Sequence, residues 1–247
     1  TGHYKATLAE KIAGKEEWTL ADLTGGLGVD SWFFSKRASK VLYNEMQTAL
    51  CKAAEHNFKA LGADNINISN SIAESDSISL IINTFRPDIV YMDPARRGEG
   101  GKKVFLIEEC TPDVLTLKDE IFRHCRHILI KLSPMADITM VCERLGKTCR
   151  EVHVVSSEGE CKELLIWMDR DWQEGYDITA VELPNGYPEK PEAALTFTPE
   201  DEKSRYAETA TDMGEFLFEP GKSLTKAGAF NVTAGHFHIR KLGKSTH

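Results

Sequence analysis

Two short stretches of this 247-residue chain carry side chains whose types and spacing could do chemistry. The first is Asp22-Leu-Thr24-Gly25-Gly26-Leu-Gly28-Val-Asp30, and Glu45 stands 20 residues beyond Gly25. Glycines where a strand turns into a helix let the backbone approach a ligand that a Cβ would exclude. A carboxylate at the end of the next strand can accept hydrogen bonds from both hydroxyls of an adenosine ribose. Nicotinamide dinucleotides are held by similar parts, through G-x-G-x-x-G and a helix N-terminus open to a pyrophosphate. Here the third glycine of that pattern is missing, and Asp22 stands three residues before Gly25. A carboxylate there repels a pyrophosphate and suits an ammonium with a sulfonium nearby. The pattern favours S-adenosylmethionine over a dinucleotide.

The second stretch is Asp93-Pro94-Ala95-Arg96-Arg97-Gly98. It follows a predicted strand, so it meets the carboxyl edge of a sheet, where α/β proteins bind ligands. The plain alternative is a helix cap by Asp93 with solvated arginines. The chemical reading has Asp93, with Pro94, orienting or deprotonating an acceptor. Arg96 and Arg97 would hold an anionic substrate, because a guanidinium can stack through its plane or clamp a phosphate with two hydrogen bonds.

These stretches need elements to position them. Apolar runs at 18–22, 41–45, 65–69, 88–93 and 128–131 predict five strands. Helices are predicted over 7–13, 47–61, 78–85, 112–125 and 138–145, with Gly14, Gly62, Pro87 and Gly146 as stops. Residues 151–155 and 163–168 then read as a hairpin. Strands alternating with helical crossovers require a parallel sheet covered on both faces. The expected fold is α/β, a doubly wound, mostly parallel seven-stranded sheet over residues 1–170. From about Asp169 the character changes, and residues 171–247 are expected to form a small α+β domain. Its strands are predicted at 178–183, 216–218 and 236–239.

The order of elements over residues 18–168, with its closing hairpin, resembles the class I S-adenosylmethionine-dependent methyltransferases. The resemblance implies that Asp22, Thr24, Gly25, Gly26 and Gly28 hold the methionine part and that Glu45 holds the ribose. An acid after the third strand often meets the adenine amino group in that family. This chain has Asn70-Ser71 instead, and Ser71 would serve by hydroxyl or backbone. Members acting on nucleobases carry D/N-P-P-Y/F/W or D-P-P-R where Asp93-Pro94-Ala95-Arg96 stands. The RNA 5-methyluridine enzymes need a cysteine in S-C-N-P after the fifth strand. Here the segment is Lys131-Leu132-Ser133-Pro134, and without a thiolate pyrimidine C5 is not activated, so a nucleobase nitrogen is the favoured acceptor.

Glu160-Cys-Lys-Glu-Leu-Leu165, Phe216-Leu-Phe-Glu-Pro220 and Lys226-Ala-Gly-Ala-Phe230 extend the likeness to a narrower bacterial group with a THUMP-like C-terminal domain. That resemblance also implies a helical region before Thr1 and a few residues after His247.

Composition bounds the partners. The net charge is −8, which disfavours indiscriminate nucleic-acid binding, yet no acidic residue follows Glu219. Lys222, Lys226, Arg240, Lys241 and Lys244 crowd that end, and Arg240 and Lys241 are candidate RNA contacts. Six cysteines show no C-x-x-C pair, which predicts reduced thiols, a cytoplasmic protein and no metal site. No apolar run approaches the roughly 20 residues of a membrane span. The expected function is methyl transfer to RNA. A small-molecule methyltransferase, or a non-catalytic RNA-binding module that retains the cofactor, is the alternative.

Overall fold

A computed structural model describes residues 1–96, 106–185, 193–212 and 214–243. Arg97 and Lys244 lie outside the described residues, and only the backbone of Arg96 is described.

The chain opens with α1 (Gly2–Ala13), then β1 (Thr19–Asp22), α2 (Val29–Ser35), β2 (Lys40–Asn44), α3 (Thr48–Ala60), β3 (Ile66–Ser69) and α4 (Ser75–Phe85). It continues with β4 (Ile89–Met92), a small ribbon of β5 (Ala95–Arg96) and β6 (Cys110–Thr111), α5 (Val114–His124), β7 (His127–Leu132) and α6 (Ile138–Leu145). After these come β8 (Cys149–Ser157), β9 (Glu160–Asp169), β10 (Asp177–Leu183), β11 (Ala193–Phe197), α7 (Pro199–Ser204), α8 (Lys222–Ala227) and α9 (Phe230–Phe237). Local chemistry sets several boundaries. The Asp113 carboxylate accepts the Leu115 and Thr116 N–H groups to start α5, and Asp137 accepts Met140 N–H to start α6.

The main sheet runs β11-β10-β8-β9-β7-β4-β1-β2-β3. Only β9 and β11 run against the rest. The doubly wound, mostly parallel architecture is as expected, but the sheet has nine strands where seven were predicted. The extra two come from the carboxyl-terminal part: β10 pairs parallel to β8, and β11 closes back on β10. The expected division at 170/171 therefore falls inside one continuous sheet. Two expected strands are corrected. Residues 216–218 carry no regular structure, and 236–237 finish the helix α9. Alternation in such short runs does not distinguish a strand from an apolar helix end.

Alternation within the strands sorts side chains between two layers. Ala21, Leu42, Val90, Met92, Ile128 and Ile130 share one core with α4, α5, α6 and α9. Leu20, Val41, Ile89, Tyr91, Leu129 and Leu165 form the other with α1. By the same alternation, Asp93 follows Tyr91 and Lys131 follows Leu129 onto the α1 face.

Candidate active site

Everything predicted to hold a cofactor lies where β1, β2 and β3 end. Asp22 closes β1 as a buried carboxylate. Its Oδ1 accepts the Thr24 N–H at 3.0 Å and its Oδ2 accepts the Ser31 hydroxyl at 2.6 Å. Burial pushes this carboxyl up to about 7, against the pull of those two bonds. Asp22 thus sits beneath the glycine loop and shapes it from below.

The loop is drawn tightly onto β2 and α3. Gly25 N–H donates to the Asn44 carbonyl at 2.8 Å, and the Tyr43 hydroxyl donates to the Gly26 carbonyl at 2.6 Å. A Cβ on Gly25 would stand 2.2 Å from the Tyr43 ring, and one on Gly28 would stand 2.5 Å from Phe58. These two glycines are demanded by the protein's own packing, before any ligand is considered.

Glu45 follows β2 and folds onto the same loop. Its Oε2 accepts Gly26 N–H at 3.0 Å and its Oε1 accepts Gln47 N–H at 2.8 Å. Ser71 is held nearby, its hydroxyl donating to Asn44 Oδ1 at 2.8 Å. Leu27, Met46 and Ile72, on the loops after β1, β2 and β3, are each more than half exposed. Those apolar surfaces beside a ribose-competent carboxylate fit an adenosine, whose flat base would cover them. In that arrangement Glu45 would hold the ribose, Ser71 the base, and Thr24 with the glycines the methionine end.

The acceptor side is joined to this loop directly. Asp93 N–H donates to Thr24 Oγ1 at 2.6 Å, so the residue after β4 is tied to the loop after β1. Met92 pairs with Ile130, which sets Asp93 beside Lys131 at the end of β7. Lys131 Nζ donates to Asp93 Oδ2 at 2.5 Å. Pro94 leads into the β5–β6 ribbon, where Ala95 opposes Thr111 and Arg96 opposes Cys110.

On the same face lies a second, sealed charge cluster. Lys5 of α1 binds Asp30 at 2.6 Å and Glu163 of β9 at 3.3 Å, and the Tyr91 hydroxyl donates to Asp30 at 2.7 Å. Burial works against the Lys5 ammonium, but the two carboxylates outweigh it and hold it above the ordinary lysine range. Burial also drives the Tyr91 phenol well up, so it stays a neutral donor. Lys131, Lys5 and Tyr91 were missed in the sequence. The signal for Lys131 was there: it is the one charge in Ile128-Leu-Ile-Lys-Leu132, at the strand end that faces ligands.

The carboxyl-terminal cations are placed differently. Arg240 pairs with Asp212 at 3.4 Å, and Lys241 Nζ donates to Asn231 Oδ1 at 2.6 Å. Lys222 pairs with Glu219, and Lys226 donates to the Ala136 carbonyl at 2.8 Å. No described contact joins Arg240 or Lys241 to the glycine loop or to Asp93. Among the described residues no three His, Cys, Asp or Glu side chains cluster in a way that could hold a metal. No described helix is long and apolar enough to cross a membrane.

Comparison with known proteins agrees with this fold. A crystal structure from Porphyromonas gingivalis W83, named only provisionally as a methyltransferase, superposes with a TM-score of 0.83 over 98% of this chain, at 32% identity. The chain spans 58% of that protein's length. An uncharacterised RNA methyltransferase of Fusobacterium nucleatum is 24% identical over 123 residues, covering 46% of this chain and 26% of the relative. A modification subunit of a provisionally named type I restriction enzyme from Vibrio vulnificus YJ016 shares the fold alone, with a TM-score of 0.50 at 11% identity over 85% of this chain and 56% of that one. A family described as a ferredoxin-like domain matches residues 216–247. That match describes the end of the region for which THUMP-like character was expected. The fold is therefore that of the α/β methyltransferases, followed by a ferredoxin-like carboxyl-terminal segment.

Proposed function

We propose that this chain binds S-adenosylmethionine and transfers its methyl group to a nucleobase nitrogen of RNA. The observation that carries the reading is the bond from Asp93 N–H to Thr24 Oγ1, which joins the cofactor loop to the acceptor loop. Bound S-adenosylmethionine would supply an electrophilic methyl on a sulfonium. The chain's own residues then have three tasks: hold the donor, orient the acceptor, and receive one proton. Asp22, Thr24, Gly25, Gly26, Gly28, Glu45 and Ser71 take the first. Asp93 and the Pro94 carbonyl take the second, accepting the acceptor's N–H, and Asp93 is the nearest group for its proton.

The name of the Fusobacterium relative favours RNA over a small molecule. The THUMP-like reading of residues 171–247 belongs to the same proposal, with Arg96, Arg97, Arg240 and Lys241 meeting phosphates. Six cysteines with no C-x-x-C pair favour a cytoplasmic setting.

The test is transfer of tritiated methyl from S-adenosylmethionine to total RNA from a strain lacking the protein. Wild type should label RNA, and Asp93→Ala should abolish labelling while S-adenosylhomocysteine affinity stays within a few fold. Cofactor binding without RNA labelling would overturn the RNA assignment in favour of a small-molecule acceptor. Loss of cofactor binding in Asp93→Ala would make Asp93 a cofactor ligand.

A further inference from the structure

Two lysine–carboxylate pairs lie side by side on the α1 face, and their exposure separates them. The Lys5 and Glu163 side chains are each 4% exposed, and this pair is sealed beneath α1. The Lys131 and Asp93 side chains are 27% and 37% exposed, at the sheet edge where the cofactor loop ends. A charged pair on that edge, one member tied by its backbone to Thr24, is presented to whatever lies above it.

We infer that Lys131 is an acceptor-contacting residue, and that with Asp93 it reads the acceptor as an N–H group adjoining a carbonyl or ring nitrogen. This inference rests on the methyltransferase reading and narrows its substrate. An ammonium has three donors and no acceptor, whereas a carboxylate only accepts. Lys131 spends one donor on Asp93 and keeps others for a ligand. Because the register of β4 and β7 fixes the two residues as neighbours, the pair offers a donor and an acceptor side by side.

The complementary ligand edge is an amide or amidine, as on the Watson–Crick edge of a nucleobase. A lone amine or an ionised carboxylate does not present a donor and an acceptor on adjoining atoms, and the ribose diol, which does, is common to every nucleoside in the test below. Lys131 would hold the carbonyl or ring nitrogen while Asp93 takes the neighbouring N–H. Upon transfer, the nitrogen lone pair forms the bond to the methyl carbon, the carbon–sulfur pair stays on sulfur, and the proton leaves through Asp93.

The experiment uses the whole chain saturated with S-adenosylhomocysteine, so that the cofactor's adenosine site is filled. Adenosine, cytidine, guanosine and uridine are titrated by ligand-observed NMR, beside purine riboside, whose base has ring nitrogens but no N–H donor. At least one of the four should bind about tenfold or more tighter than purine riboside. Lys131→Met should erase that preference, and Lys131→Arg should restore part of it, with S-adenosylhomocysteine affinity unchanged in both. Equal binding of purine riboside overturns the inference, as does a preference that survives Lys131→Met, or no nucleoside binding by a protein that binds S-adenosylhomocysteine. If wild type binds no S-adenosylhomocysteine, the methyltransferase reading falls, and this inference with it.

Discussion

The edge formed by the ends of β1, β2 and β4 and the segment after α7 solve opposite problems with similar residues. At the edge, side chains and backbone are interlocked: the Glu45 carboxylate accepts from Gly26 and Gln47 N–H, the Asp22 carboxyl accepts from Thr24 N–H, and the Thr24 hydroxyl accepts from Asp93 N–H. After α7, Lys222 and Arg240 pair with acidic side chains at the surface, while Tyr206, Phe216, Leu217 and Phe218 stand exposed. Surface ion pairs of that kind contribute roughly 0–1 kcal/mol each. Buried charge-assisted bonds to backbone contribute about 1.5–3 kcal/mol and are costly to break singly. The contrast teaches that net charge along the chain is a poor guide to where chemistry is built. The basic carboxyl-terminal end attracts attention in the sequence, yet the preorganised groups lie in the acidic remainder.

That contrast can be tested in descending order of expected effect. Asp22, pushed to about 7 by burial, keeps a proton in the folded state that the unfolded chain has lost above about pH 4. Folding stability should therefore fall as pH rises from about 4 to about 7 and level off beyond. Asp22→Asn should flatten this dependence by about 2–3 kcal/mol between pH 5 and 7, read from urea unfolding. Ionised Asp22 favours a cationic ligand, so S-adenosylmethionine, with its ammonium and sulfonium, should bind more tightly as pH passes from 6 to 8 in wild type only. A pH profile shared by both proteins would remove Asp22 from the account.

Glu45→Ala should come next. It strips a charged acceptor from two backbone N–H groups and from the ribose, and should weaken S-adenosylhomocysteine binding by about 1.5–3 kcal/mol in calorimetry. Unchanged affinity in a folded variant would remove the ribose assignment.

A glycine pair compares the two regions directly. Gly25→Ala forces a methyl into the Tyr43 ring and should cost about 1–3 kcal/mol of stability together with cofactor affinity. Gly228→Ala, with φ +69° and the Phe230 ring in ordinary contact 3.9 Å from its Cβ, should cost about 1–2 kcal/mol and leave cofactor affinity intact. Equal effects on binding would erase the distinction between the regions.

The smallest effect concerns salt. If RNA phosphates replace the partners of Arg240 and Lys241, changing both to Gln should flatten the log–log salt slope of RNA binding by about 1.4. Binding of S-adenosylhomocysteine should not change. An unaltered slope would restrict these two residues to their pairings with Asp212 and Asn231.

Much of the amino-terminal part was legible because local and global signals agree there. Five strand–helix alternations, each punctuated by Gly or Pro, leave a parallel sheet as the one economical arrangement. The prediction of α6 over 138–145 coincides with the observed helix, since Asp137 and Gly146 mark both ends. The carboxyl-terminal part was less legible because its elements have no independent core. Phe197, Ala229 and Val232 are buried in the core they share with α4–α6. Short apolar runs such as 216–218 carry no periodicity that would tell strand from loop.

By itself the sequence determined the order of strands and helices up to β9, the glycine turn, and the placement of Asp22, Glu45 and Asp93 at strand ends. Those follow from periods of two and 3.6 residues and from backbone rules that act over a few positions. Only the tertiary structure decided what faces what. It showed that β10 and β11 extend the main sheet and that Gly25 is needed to admit Tyr43. It showed that the Asp22 carboxyl is buried beneath the loop, bonded to Thr24 and Ser31. It also brought Lys131 against Asp93 across 38 residues of chain. Strand register and burial are long-range properties, set by which surfaces must leave water together, and no local pattern of residue types encodes them.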